Sequence, residues 1–359
     1  MSLDALLEHS RRYGKDPAFV LLGGGNTSFK DGRVMYVKAS GHALGTIKED
    51  GFVRMDLDKL HEIWQKQYSD DDEIREEEVL KDMMACRLAG ESARPSVEAL
   101  LHALLPFTYV IHLHPAIVNG LTCAQNGEQM VHTLFSDALW VELVKPGFIL
   151  ANIVRTRLNA HQRETGKVYS LIFLQNHGIF VGGETLEEIQ ATYESLMRTI
   201  EARLVRKPDF SEVPVDETSV SPIKTVLQSM CNEEVLFSQT KEYERYLVDE
   251  QHFAKIASSF TPDHIVYAGF KPLWVEETRD VANGFREYER QNGVKPKIVC
   301  VQNLGVFSLG SKPLPLFRDT VAISTYAESF GGPRFMDDAM ISFIRTWEVE
   351  KYRSQVAAT

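Results

Sequence analysis

The chain has 359 residues, 44% of them hydrophobic and 25% charged, which supplies a sizeable core and excludes wholesale disorder. At roughly 150 residues per domain the length predicts two units. Its 39 Lys and Arg against 50 Asp and Glu leave a net charge of −11; nonspecific nucleic-acid binding needs a positive surface and is excluded as a main role, whereas a small anion held by local donors is not.

No apolar run approaches the roughly 20 residues that span a bilayer. The N-terminus lacks the apolar segment and small-residue cleavage site of a signal peptide. A cytoplasmic location without membrane or nucleic-acid partners is expected. Cys86, Cys123, Cys231 and Cys300 are too far apart for a CxxC pair and read as free, buried thiols.

In chain order, residues 3–14 predict a helix ended at Gly14. Gly23-Gly24-Gly25-Asn26 leads into a hairpin turned at Asp31-Gly32, with Val34–Val37 returning and Lys38-Ala39-Ser40-Gly41 closing the segment. Helices over about 57–66 and 77–88 flank the acidic run Asp70–Glu73, read as a solvated face. Ser96 reads as the N-cap of the next helix, with Glu98 in its first turn. Glu98 and His102 are four apart and share a face. Tyr109–His114 predicts a strand stopped by Pro115. Tyr169–Leu174 predicts another, running into Gln175-Asn176-His177-Gly178, with a long helix from near Glu184.

Residues 206–222, polar and carrying Pro208, Pro214 and Pro222, predict a linker between a unit over 1–205 and a smaller α/β unit over 223–359. The second unit holds an echo of the first. Gln175–Gly183 aligns with Gln302–Gly310 at an offset of 127, with five of nine positions identical. His177 becomes Leu304, so a degenerate partial repeat without a metal is expected there.

His112 and His114 are two apart in a strand and project to one side, a natural two-ligand arm for a metal. His177, entering a glycine turn, supplies a third imidazole. Three imidazoles satisfy zinc and leave a position for substrate. Glu98, at a helix start, is placed to move a proton on a carbon beside a polarised carbonyl. His102 reads as a packing or orienting histidine. Backbone N–H groups at Gly23–Asn26 form a candidate anion nest. Ser40, Gly41 and Ser96 add donors, Ser96 at a helix N-terminus, and Lys38 adds charge unless it points to solvent. The segment is neither a P-loop nor GxGxxG.

The set GGGNTS, KASG, PSxE, HLHP and NHG, in this order, resembles the class II aldolase/adducin family. The resemblance extends through the tail to Arg353 and is closest to the aldolase portion of bifunctional rhamnulose-1-phosphate aldolase/short-chain dehydrogenase proteins, without their dehydrogenase part. It implies a three-layer α/β/α sandwich with a mainly antiparallel central sheet. It implies that His112, His114 and His177 bind a divalent metal, with zinc first in line, and that Glu98 is the catalytic acid/base. Gly25, Asn26, Ser40, Gly41 and Ser96 match substrate or phosphate contacts; Val97 stands where phosphate-binding relatives often carry a second hydroxyl. The opposing acid/base in the family is often a tyrosine from a neighbouring subunit, for which Tyr267 and Tyr352 are the candidates here.

Adducin-like structural members lack the metal histidines, and related epimerases place an aspartate at the position of Glu98. The resemblance therefore implies a homo-oligomeric lyase, a tetramer first, that cleaves a ketose 1-phosphate such as L-rhamnulose 1-phosphate to dihydroxyacetone phosphate and an aldehyde. A sugar-acid phosphate decarboxylase or sugar-phosphate dehydratase on the same metal is the alternative enzyme. A sugar-binding or scaffold protein is the alternative without turnover.

Overall fold

In the computed structural model, which describes residues 2–347, the chain opens with α1 (Leu3–Lys15), capped by the Ser2 hydroxyl accepting from Ala5 N. Asp31-Gly32 then turns β1 (Asn26–Asp31) back onto β2 (Val34–Lys38), with Gly32 at φ 57°. There follow β3 (Phe52–Asp56), α2 (Leu57–Glu62), α3 (Asp72–Ala85), α4 (Ala99–Leu104), β4 (Tyr109–Leu113), α5 (Ala116–Thr122), α6 (Gly127–Leu134), β5 (Leu139–Val141), α7 (Phe148–Thr165), β6 (Leu171–Leu174), β7 (Gly178–Gly183) and α8 (Leu186–Glu201). The later elements are α9 (Glu217–Met230), β8 (Val235–Ser238), α10 (Lys241–Tyr246), α11 (Glu250–Phe253), β9 (Leu273–Val275), α12 (Val281–Asn292), β10 (Ile298–Val301), β11 (Gly305–Leu309), α13 (Pro313–Ala327) and α14 (Asp338–Thr346). Two compact units result, one built on residues 2–118 and 127–202, the other on 119–126 and 203–345.

The first unit carries a seven-stranded sheet in the order β3-β2-β1-β4-β7-β6-β5. β4 is central and buried along its whole length. Its Val110 packs in one apolar cluster with Leu100, Leu101 and Ala103 of α4, so the helix is seated over the same face of the sheet. The mainly antiparallel sheet expected from the sequence is a mixed one. β5 and β6 are joined through α7, and a crossover helix returns the chain in the same direction, so this pair is parallel. α8 begins with a capping box in which Thr185 and Glu188 satisfy each other's backbone N–H.

The second unit has a four-stranded sheet, β8-β11-β10-β9, also mixed, with β9 parallel to β10 across α12. Its β10–β11 corner has the local geometry of the β6–β7 corner. Asn176 and Asn303 both sit at φ 56°, a left-handed turn position that asparagine tolerates. Gln175 N donates to Val141 O and Gln302 N to Val275 O, each over 2.9 Å.

Three local expectations change. The stretch 206–222, expected as a linker, is tied into the second unit: Arg206 pairs with Glu242 and Glu328, and Val213 N donates to Gln239 O. Asp216 caps α9, which starts at Glu217 and tolerates Pro222 in its second turn. The acidic run at 70–73 is a helix start, because Asp71 accepts from Glu73 N and Ile74 N and so caps α3 five residues earlier than expected. Cys231 is half-buried, whereas Cys86, Cys123 and Cys300 are buried; all four are unbridged thiols.

Glu76 of α3 is buried, and both its carboxylate oxygens accept from Phe148 N at 3.2 Å, the start of α7. The preceding Gly147 has φ 90°, and a Cβ there would lie 2.2 Å from Glu76 Oε2, so glycine alone fits. Burial pushes the Glu76 carboxyl from an ordinary 4.5 up to about 7, against the pull of Phe148 N and Arg75. Between these pH values the folded chain holds a proton that the unfolded chain has released. Stability therefore falls as pH rises through this window, by about 3 kcal/mol for a shift of this size. Chemical denaturation of Glu76→Gln at several pH values should show a flatter profile across this window and higher stability than the parent at pH 8.

Candidate metal centre

Strand register builds the centre. Asn26 of β1 and Phe180 of β7 lie directly opposite His112 on its two sides, and directly opposed residues share a face. His114 follows on that face two residues later, its N–H donating to Phe19 O. His177 comes from the β6–β7 corner, where the left-handed Asn176 turns the chain and His177 N donates to Leu174 O at 3.2 Å. The ligand atoms of His112, His114 and His177 all lie within 4.8 Å of one another.

The tautomer of His112 is fixed. Its Nδ1 faces Ile179 O at 3.0 Å, and a carbonyl only accepts, so Nδ1 carries the hydrogen and Nε2 presents its lone pair. Phe180 stacks on the His112 ring with centroids 4.1 Å apart and holds its plane. Burial pushes the His112 pKa well below the usual imidazole range, which keeps that lone pair available. This is how metal-binding histidines are oriented by their other nitrogen.

Glu98 closes the cluster. It lies at the N-cap position of α4 without capping it; its side chain turns to the histidines instead. Oε2 is 3.5 Å from His112 Nε2 and Oε1 is 3.5 Å from His177 Nε2. Oε2 accepts from Asn26 Nδ2 at 2.6 Å, whereas Oε1 is buried without a hydrogen-bond partner. Burial alone raises this carboxyl, but the neighbouring His112 and His177 and the Asn26 amide outweigh it and hold it below its ordinary range. Three imidazoles whose ligand atoms lie within 4.8 Å of one another, with a buried carboxylate beside two of them, fit a divalent cation. Three imidazoles also accept several first-row metals.

The remaining candidates fall around this centre in different ways. Gly25, at φ 67°, runs so close to β4 that a Cβ would lie 2.9 Å from His112 O. Ser40 N donates to Arg94 O and Ser96 N to Lys38 O, so the Ser40-Gly41 turn and the Ser96 segment lie side by side. Ser96 is not the N-cap; its hydroxyl accepts from Glu98 N at 3.2 Å and fixes the approach to α4. Lys38 is buried and does not point to solvent. Tyr267 is buried in the second unit, and Tyr352 lies outside the described residues. Sequence reasoning missed Phe180 and Ser28. The two-residue spacing of Asn26 and Ser28 on β1 was the available signal, since it puts both on the face of His112.

Residues 4–204 match the family model described as the class II aldolase and adducin N-terminal domain. The chain is 25% identical over 415 aligned positions to an uncharacterized oxidoreductase, YuxG, of Bacillus subtilis (strain 168); the match takes in 99% of this chain and 58% of that protein, so the chain spans a little over half the length of this relative. Among solved structures it is similar to the N-terminal class II aldolase domain of a conserved protein from Thermoplasma acidophilum, with 27% identity, a TM-score of 0.48, and coverage of 56% of this chain and 93% of that one. It is also similar to an L-fuculose-1-phosphate aldolase from Thermus thermophilus, with 14% identity, a TM-score of 0.36, and coverage of 55% and 93%. With more than half of its length matched by the family model, the chain belongs to the class II aldolase and adducin family.

Proposed function

We propose that the protein is a metal-dependent aldolase that cleaves a small ketose 1-phosphate, L-rhamnulose 1-phosphate first among those to test, into dihydroxyacetone phosphate and an aldehyde. One observation carries this reading: the buried Glu98, its Oε1 without a hydrogen-bond partner and 3.5 Å from His177 Nε2, stands beside a cluster of three imidazoles. A divalent metal, zinc first, held by His112, His114 and His177 supplies Lewis-acid polarisation of a substrate carbonyl. Glu98 is a carboxylate by its surroundings, so it is suited to accept a proton from, and return it to, the carbon beside that carbonyl. Asn26 holds the other oxygen, which leaves Oε1 to do this. Gly25, the Ser40-Gly41 turn, the Ser96 segment and Lys38 are the proposed donors to phosphate and hydroxyl groups.

No described helix is long and apolar enough to cross a membrane. The family relation supports a cytoplasmic homo-oligomer, a tetramer first, acting on a small sugar phosphate, and the negative net charge argues against nucleic acid as a partner. Residues 223–345 are proposed as a degenerate partial repeat, on the strength of the matching corners, in which Leu304 leaves no metal site.

Three outcomes test the proposal. A Cβ on Gly178 would lie 2.6 Å from both His114 Cδ2 and Leu113 O. Gly178→Ala should therefore displace the His114 ring and weaken zinc binding at least tenfold in calorimetric titration, although no ligand is removed. Glu98→Gln should keep the metal and lose at least a hundredfold in kcat, because the cage remains while the proton-transfer group is gone; unchanged kcat removes Glu98 from catalysis. Finally, kcat/KM for one ketose with and without its phosphate should differ by more than tenfold, about 1.4 kcal/mol of transition-state binding. A smaller preference turns the assignment to an unphosphorylated sugar or sugar acid. Product analysis distinguishes cleavage from decarboxylation or dehydration.

A further inference from the structure

We infer that His102 is a positioning residue that sets the Glu98 carboxylate through the Asn26 amide, and that Asn26 serves this chain of hydrogen bonds before it serves any substrate. The inference rests on the reading of Glu98 as the proton-transfer group. The contacts are continuous and buried. Ser28 Oγ lies 2.7 Å from His102 Nδ1, His102 Nε2 is hydrogen-bonded to Asn26 Oδ1, and Asn26 Nδ2 donates to Glu98 Oε2 over 2.6 Å. Ser28 and His102 are fully buried, and Asn26 and Glu98 are nearly so.

The direction of every proton in the chain follows from its last member. Glu98 Oε2 is a carboxylate oxygen and can only accept, so the NH2 end of Asn26 must face it. The carbonyl end of Asn26 then faces His102, whose Nε2 must carry the hydrogen. Nδ1 is left bare, and Ser28 donates to it. Burial pushes His102 down to about 3, which agrees with this neutral, singly protonated ring. Phe180 packs edge-on to His102 and face-on to His112, so one phenyl ring holds both imidazoles. A rotation of the Asn26 amide would aim Oδ1 at a carboxylate, which His102 prevents.

The arrangement has a consequence for chemistry. Oε2 is held by Asn26 at hydrogen-bonding distance, while Oε1 has no hydrogen-bond partner and faces His177. The chain therefore selects which carboxylate oxygen moves the proton. Without His102 the Asn26 amide loses its restraint, and the carboxylate samples other torsions while the three histidines stay in place.

The test compares His102→Leu with His102→Gln, whose amide nitrogen reaches the position of Nε2, each in the parent and in Glu98→Gln, with the zinc-loaded full chain and L-rhamnulose 1-phosphate. His102→Leu should lower kcat 10- to 100-fold with KM and bound zinc changed less than twofold. His102→Gln should recover most of the loss. In Glu98→Gln, His102→Leu should cost nothing further, because members of one unit are not additive. An equal loss in that background, or a change in zinc content or KM in place of kcat, overturns the inference. A crystal structure of the zinc-loaded His102→Leu protein gives a readout independent of turnover: Asn26 and Glu98 should depart from the contact seen here, and an unchanged contact overturns the proposal. If His102→Leu does not fold, His102→Gln and Ser28→Ala carry the same comparison, the latter with a smaller fall in kcat. Full turnover by Glu98→Gln, with Asn26 and Glu98 displaced in the His102→Leu crystal, would instead refute the role of Glu98 and leave the positioning chain standing.

Discussion

The register of β4 between β1 and β7 is the constraint on which the centre depends. Side chains on a strand alternate, so a slip of one residue would turn His112 and His114 to the opposite face and separate Asn26 and Phe180 from them. Apolar packing supports this register. Val110 shares their face and packs in one cluster with Leu100, Leu101 and Ala103 of α4. That helix carries Glu98 at its start and His102 one turn on. The register of β4 beside β1, and the bonds of His102 on α4 to Asn26 and Ser28 of β1, therefore set both halves of the site at once, the imidazoles from the sheet and the carboxylate from the helix.

The electrostatics of this pocket suit a site that holds a cation. A buried carboxylate costs several kcal/mol unless it is paired. Here its near neighbours are the His112 and His177 imidazoles and the amide of Asn26. One carboxylate oxygen is satisfied and the other is not. Such a residue in a structural role would be expected to gain a lysine or arginine partner or to be replaced by an apolar side chain. A divalent cation held there would resolve the imbalance and would couple metal binding to the stability of the first unit.

Much of this was legible in the sequence because the signals were local. The spacing of His112 and His114 is a strand period; Asp31-Gly32 marks a hairpin; Glu98 and His102 are one helical turn apart. The misread features were set by tertiary context. Ser96 reads as an N-cap by residue type, yet the helix starts at Ala99 and the hydroxyl serves Glu98 N. Asp71 caps a helix whose charged first turn looks, in sequence, like a loop. The parallel pairing of β5 was hidden in a three-residue strand too short to show a pattern, with its direction imposed by the 18-residue α7. The role of Asn26 was not legible because it depends on which way one amide faces, and that is decided by residues 72 and 76 positions away.

The corner of the second unit separates what the backbone needs from what the chemistry needs. Gln302-Asn303-Leu304 makes the same turn as Gln175-Asn176-His177, with the same left-handed asparagine and the same donation from the glutamine N–H to the neighbouring strand. There Asn303 is exposed, its N–H donates to Leu247 O, and Gln302 Nε2 donates to Val248 O. With no imidazole at 304, the turn still persists. The asparagine and glutamine of the first unit are thus accounted for by the corner, where a left-handed residue and a strand-to-strand hydrogen bond are required in either unit. His177 is the departure from that scaffold. A corner held rigid by its own backbone hydrogen bonds offers one outward position whose side chain can change without disturbing the fold, and in the first unit that position delivers the third imidazole beside the orphaned oxygen of Glu98.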